Sequence, residues 1–155
     1  MLEPDWLASN AYRVLGVALS AGAKDIHVAA TSLRRSATLG LLKPLDTDPA
    51  DLEPPNRGED DIRAAVGRLE NPTQRLQDRL FWFNSAAAAE AAPNDPVHAH
   101  DTALLKLIGA ANAGVDDDAV DLWADALRAW NLALLSEAYW DWFQGVEIEA
   151  DPEPP

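Results

Sequence analysis

The sequence predicts an all-α protein, and three observations carry that prediction. Apolar residues recur at helical spacing in the long segments. Ile26, Ala29, Ala30 and Leu33 fall at offsets 0, 3, 4 and 7, and so do Ile62, Ala65, Val66 and Leu69. No alternating β-branched run of any length occurs. Gly, Asn and Pro sit between the periodic segments, where helices start and stop.

The first segment is short, with Trp6, Ala8, Tyr12, Val14 and Leu15 as its apolar residues and Gly16 as its end. A second helix is expected from Ser20, a good N-cap, to Gly40, a C-terminal stop. Residues 41–60 hold four Pro, one Gly and six acids, which predicts an extended, solvated loop. A connection of that length inside a compact domain is either functional or mobile. The third helix carries Ile62 to Leu69 and stops there, because Asn71-Pro72 opens a fourth. Asn accepts from the first free backbone N–H groups, and Pro at the first helical position has no N–H to lose. The residue before Pro is also pushed out of the helical region.

The fourth helix is expected to run through Leu76, Leu80 and Phe83 into the alanines of 86–89, until the turn residues of 92–96 end it. The fifth spans about 97–113, with Leu104, Leu107, Ile108 and Ala111 on one face. The sixth starts at Asp116 to Asp118, acids that suit the positive end of a helix dipole, and continues to about 143. Val120, Trp123, Leu127, Trp130 and Leu134 form its stripe, in steps of 3 and 4 that fit an antiparallel partner helix. The expected organisation is thus a helical domain over 1–92, a helical hairpin over 93–145 packed on it, and a disordered acidic tail over 146–155.

Composition narrows the function. The net charge of −14 is concentrated: residues 46–61 carry seven acids and one Arg, and residues 116–155 carry eleven acids and one Arg. An acidic chain repels phosphate backbones, so no nucleic-acid partner is expected. There are six Trp and no Cys, so disulfides and thiolate metal sites are excluded. Neither a signal peptide nor a membrane-spanning run is apparent, and cytoplasmic residence is expected.

Four features occur in one order: "NAYRVLGV" over 10–17, the stripe Ile26 to Leu33, the stripe Ile62 to Leu69, then Asn71-Pro72 and Arg75. Together they resemble the J domain, the co-chaperone module that recruits and stimulates heat-shock ATPase chaperones of the seventy-kilodalton class. The resemblance spans residues 9–80, about half of the chain, and rests on the ordered set with its matching internal spacings. It implies a unit of about four helices with the long acidic loop 41–60. In that family a His-Pro-Asp tripeptide, needed to stimulate ATP hydrolysis, starts five residues after the position of Leu33. Here Thr38, Leu39 and Gly40 stand there, and no His-Pro-Asp occurs in the chain. The resemblance therefore implies a J-like fold without that activity. It also places the family's basic docking face on the second helix, where Lys24, His27, Arg34 and Arg35 lie. Arg34 and Arg35 are the residues on which chaperone docking would rest; a solvated face is the alternative. Residues 97–143, with "AVDLWADALRAW", resemble a single tetratricopeptide-like hairpin.

Other constellations are weaker. His98 and His100 are two apart, which on a helix points them to nearly opposite sides, so both read as surface residues at a helix start and no metal site is expected; only in a loop could both converge with Asp101. The three His lack a clear orienting carboxylate, and no nucleophile or phosphate-loop motif occurs. No enzyme, cofactor or metal is expected. Three consecutive aromatics, Phe81 to Phe83, cannot share one side of a helix. Their main role is expected to be a core interface between the two halves. Trp82, Trp140 and Trp142 are candidate partner-binding residues, since Trp is enriched where binding energy concentrates. The expected function is a non-catalytic adaptor or chaperone-associated module, its partner a heat-shock ATPase chaperone or another chain or domain. The alternative is an acidic regulator that occupies a basic site on its target.

Overall fold

A computed structural model describes residues 5–48, 53–84, 95–113 and 117–145. The described residues hold eight helices and no strand. They divide into two compact units, one within 5–82 and one within 83–145. No helix among the described residues is long and apolar enough to cross a membrane. The alanines of 86–89 and the tail 146–155 lie outside the described residues.

The N-terminal unit has five helices: α1 (Asp5–Ala8), α2 (Ala11–Leu15), α3 (Ala23–Thr38), α4 (Glu59–Glu70) and α5 (Pro72–Leu80). The expected first segment is split in two. Asn10 is the reason: its side-chain oxygen accepts from the N–H of Tyr12 at 3.1 Å and of Arg13 at 3.4 Å, opening a new helix. Gly16 closes α2 at φ 64°, with Val17 N–H bonding back to Tyr12 O and Gly16 N–H to Arg13 O. α3 starts at Ala23, later than Ser20, because residues 18–21 form a turn closed by Ala21 N–H on Ala18 O at 3.0 Å.

α2, α3 and α5 all pack against α4 or α2. Tyr12, Leu15, Ile26, Ala30, Leu33, Ile62, Ala65 and Leu69 form the buried centre. Asn71 and Pro72 open α5 as the sequence predicts: the Asn71 side chain accepts from Thr73 N–H and Gln74 N–H, both at 3.1 Å. Asn71 is exposed, so Asn71→Ala loses the cap and little else. A urea melt should show a loss of about 1 kcal/mol.

α5 departs from expectation in two ways. It ends at Leu80, so Phe81, Trp82 and Phe83 follow the helix rather than ride on it. Phe81 takes φ −107° and ψ 27°, which breaks the α-helical run. Its inward residues are also polar: Asp78 and Arg79 are buried while Leu76 is 52% exposed. Arg68 of α4 donates two bonds to the Asp78 carboxylate, and Asn10 donates to Asp78 O at 2.6 Å. Arg75 reaches across to the Tyr12 hydroxyl at 3.2 Å and to Ala21 O. α5 is therefore held by charge-assisted bonds, which an apolar-stripe reading does not see.

The connection between α3 and α4 is helix-free where described, but it is not merely solvated. Arg57 is 4% exposed. It donates twice to the Asp48 carboxylate, at 2.9 and 2.5 Å, and also to Val14 O and Arg13 O at the end of α2. Arg13, itself 1% exposed, donates to Leu7 O and to Glu53 O. Residues 53–58 are thereby stapled to α2, and Asp48 is held to them through Arg57.

The C-terminal unit has α6 (Pro96–Asn112), α7 (Asp117–Leu134) and α8 (Glu137–Gly145). Asp95 caps α6 by accepting from Val97 N–H at 2.9 Å, with Pro96 at the first position. α6 and α7 pack along each other, and both contact α8. The expected single helix to 143 breaks after Leu134. Ser136 is the cause: its hydroxyl accepts from Tyr139 N–H at 3.3 Å and starts α8. The buried side of α7 also differs from the expected stripe. Ala119, Ala126, Trp130 and Ala133 are buried, whereas Val120, Trp123 and Leu127 are exposed.

Candidate functional site

α3 has one buried and one open side. Ile26, Ala30 and Leu33 face the core. Lys24, Val28, Thr31 and Arg35 are exposed at offsets 0, 4, 7 and 11, and so form a single outer stripe. His27 is exposed beside it and Arg34 is half-exposed. Among the described residues, the guanidinium groups of Arg34 and Arg35 make no ion pair or side-chain hydrogen bond.

The stripe leads into the junction at 38–40. The Thr38 hydroxyl donates to Arg34 O at 2.9 Å. Gly40 N–H bonds to Ala37 O at 3.0 Å and Leu41 N–H to Ser36 O at 2.8 Å, with Gly40 at φ 65°. That pair of bonds with a left-handed glycine is the Schellman stop. It leaves Leu39 and Leu41 about three-fifths exposed, at 60% and 61%, with Leu42 at 40%. Lys43 is exposed alongside. The structure thus gathers Arg34, Arg35, Thr38, Leu39 and Gly40 at one end of one helix, an apolar ridge edged by cations. Nothing among these side chains can move a proton near neutral pH. The chemistry available there is recognition of a surface.

The three Trp named from sequence are placed differently. Trp82 is 7% exposed, with the Arg13 guanidinium 6.0 Å from its ring centre, a cation–π contact inside the N-terminal unit. Trp140 is 38% exposed and donates from Nε1 to Leu134 O at 2.7 Å. Trp142 is half-buried, 5.8 Å from Tyr139 and 6.3 Å from His100 between ring centres. Trp140 and Trp142 belong to the aromatic cluster of the C-terminal unit.

That cluster is built on His100, which corrects its reading as a surface residue. His100 is 1% exposed while His98 is exposed, so the two imidazoles do diverge. The ring of His100 stacks on Tyr139 at 5.6 Å and meets Trp130 edge-on at 5.5 Å. An orienting carboxylate is also present after all: Asp101 Oδ1 lies 2.8 Å from His100 Nδ1. The same carboxylate accepts from the Asn84 backbone N–H and side-chain amide. The shorter contact, to Asp101, places the proton on His100 Nδ1, and the Asn84 amide nitrogen, 3.3 Å from the same Nδ1, then donates to the Asp101 carboxylate instead; that tautomer is inferred from the network. Burial closes the imidazole to a substrate, so the arrangement fixes the cluster rather than performing chemistry. Among the described residues, no group of three or more His, Asp or Glu gathers in a way that would hold a metal ion.

A cleft of about 340 Å³ in the N-terminal unit is edged by Val14, Asp61, Ala65 and Arg68. Its charged groups are already engaged: Asp61 accepts from Gly58 N–H at 3.1 Å, and Arg68 is bound to Asp78. The α3 end is the better candidate site. Sequence reasoning missed Arg13, Arg57, Asp48 and Asp78, whose partners are distant in the chain or lie in the long connection. Comparison of the chain with protein-family models, curated proteins and solved structures gave no match.

Proposed function

We propose that the chain is a non-catalytic J-like adaptor that binds a protein partner through the end of α3 and does not stimulate an ATPase. The observation that supports this most is the junction itself. Arg35 stands exposed and Arg34 half-exposed where the resembling family carries its docking face, and Thr38-Leu39-Gly40 stands where that family carries its stimulating tripeptide. A face of cations beside exposed Leu39 and Leu41 suits a partner surface that is acidic with an apolar centre.

The test is an ATPase assay of a cognate seventy-kilodalton chaperone with and without the protein. The expected result is no stimulation, because no imidazole, prolyl ring or carboxylate occupies 38–40. Stimulation of several-fold would overturn the proposal. In a parallel binding assay, Arg34→Glu with Arg35→Glu should weaken partner capture about tenfold or more, as charge reversal at a docking face does.

The second reading, an acidic regulator of a basic target, is favoured by the charge distribution. Glu59 and Asp60, at the start of α4, have side chains 73% and 92% exposed. Binding that survives the Arg34 and Arg35 reversals and falls steeply with salt would favour that reading instead.

A further inference from the structure

We propose that α7 carries a self-complementary face through which two copies of this chain pair antiparallel. This inference concerns the C-terminal unit and does not rest on the J-like reading. Val120, Trp123 and Leu127 lie at offsets 0, 3 and 7 on one arc of α7 and are 70%, 39% and 61% exposed. The neighbouring arc, Ala119, Ala126, Trp130 and Ala133, is the one packed inside the unit. α7 therefore has two apolar arcs side by side, one filled and one open, whereas a helix that only covers its own unit needs one.

The charges beside the open arc say what fits it. Asp121, Ala124 and Arg128 are exposed along its outer edge. An antiparallel copy with its two-fold axis between Trp123 and Ala124 sets Val120 opposite Leu127 of the second copy. It sets Trp123 opposite Ala124, whose small side chain gives the indole room to lie across the helix. The same register brings Asp121 within two residues, about 3 Å along the axis, of the second copy's Arg128. Under two-fold symmetry each of these contacts occurs twice. Arg128 is available for it: its side chain is 67% exposed and only 3.6 Å from Asp125, which holds Lys106 more closely at 2.8 Å. An acid early and a base late on one helix are complemented by the same helix reversed, which selects a second copy over an unrelated partner.

The open arc is about two turns long, so the interface is small and the pair concentration-dependent. Each copy carries −14, which opposes pairing at low ionic strength. Sedimentation velocity near physiological salt, over about 1 to 100 μM, is the test. The expected result is a monomer–dimer equilibrium within that range. Leu127→Asp should raise the dissociation constant about tenfold or more. At about 1 μM or below, where both are monomeric, its circular dichroism and thermal melt should match the wild type, because Leu127 is exposed in the monomer. Asp121→Arg and Arg128→Glu should each weaken the pair, and the two together should restore it. A wild-type chain that stays monomeric throughout would overturn the proposal. So would a dimer indifferent to Leu127→Asp, or a double charge reversal as weak as the single ones.

Discussion

Arg57→Ala is expected to cost the N-terminal unit about 3–5 kcal/mol, the range for removing one partner of a buried ion pair. The reason is what stays behind. The Asp48 side chain is 6% exposed, and among the described residues its carboxylate without Arg57 keeps only the Leu45 N–H at 2.7 Å. Arg13 O and Val14 O, at the end of α2, lose their donors at the same time. Asp48→Asn should cost less, since an amide oxygen still accepts from the guanidinium. Replacing both residues by apolar ones of similar size should cost less than the single changes added together. The pH dependence follows from Asp48. Burial pushes its carboxyl up, but the bonds from Arg57 and Leu45 outweigh that and hold it below the usual carboxylate range. A folded-state pKa below the unfolded one means the stabilisation is present above the unfolded value, about pH 4, and lost as pH falls through the folded one. Protection of the α2 and α4 amides, measured against their intrinsic exchange rates, should therefore fall on acidification below about pH 4, and less so in Asp48→Asn. A cost under about 1 kcal/mol for Arg57→Ala would show that the connection between α3 and α4 is not fastened this way.

The parts legible from sequence are those decided within one or two turns. Asn71-Pro72 starts a helix whatever surrounds it, because the cap bonds reach only Thr73 and Gln74. The stripes Ile26–Leu33 and Ile62–Leu69 define their helices, and most of their residues are buried. Asp95-Pro96 is the same cap signature as Asn71-Pro72, yet in a run of turn residues it reads as an ending rather than a start. Arg57 was not legible: its backbone acceptors lie more than forty positions back, and its carboxylate sits in a segment whose composition reads as solvated. α7 shows a subtler limit. Its period was evident, but which arc turns inward depends on what it meets. Ala119, Ala126 and Ala133 recur every seven residues, and so small a stripe lets α6 approach closely, leaving the larger Val120 and Leu127 outside. At the candidate site, Arg34, Arg35 and 38–40 are contiguous and so were visible as a group. Leu39, Leu41 and Leu42 acquire meaning only once the stop at Gly40 leaves them exposed.

Gly16→Ala and Gly40→Ala separate backbone strain from packing, because the two glycines share a conformation and differ in surroundings. Their φ angles are 64° and 65°, a region an L residue enters at a cost of about 1–2 kcal/mol. Around Gly40 nothing lies within 4 Å of the place a Cβ would take, so Gly40→Ala should show that backbone cost alone. At Gly16 the same methyl group would sit 2.3 Å from Leu45 Cδ1 and 3.0 Å from Thr47 Oγ1, and one of them must move. Leu45 is half-buried, and its N–H is part of the turn that positions Asp48 for Arg57. The atom in the way is the far end of the Leu45 side chain, which can turn aside without moving that N–H, so the added cost is one of repacking. Gly16→Ala should cost about 2–3 kcal/mol, the strain plus the low end of an overpacking penalty. Urea melts of the two variants give the difference directly, and Leu45→Ala in the Gly16→Ala background should recover part of it. Equal losses at the two positions would mean that Leu45 does not rest on Gly16. The connection would then be held to α2 by the bonds of Arg13 and Arg57 alone.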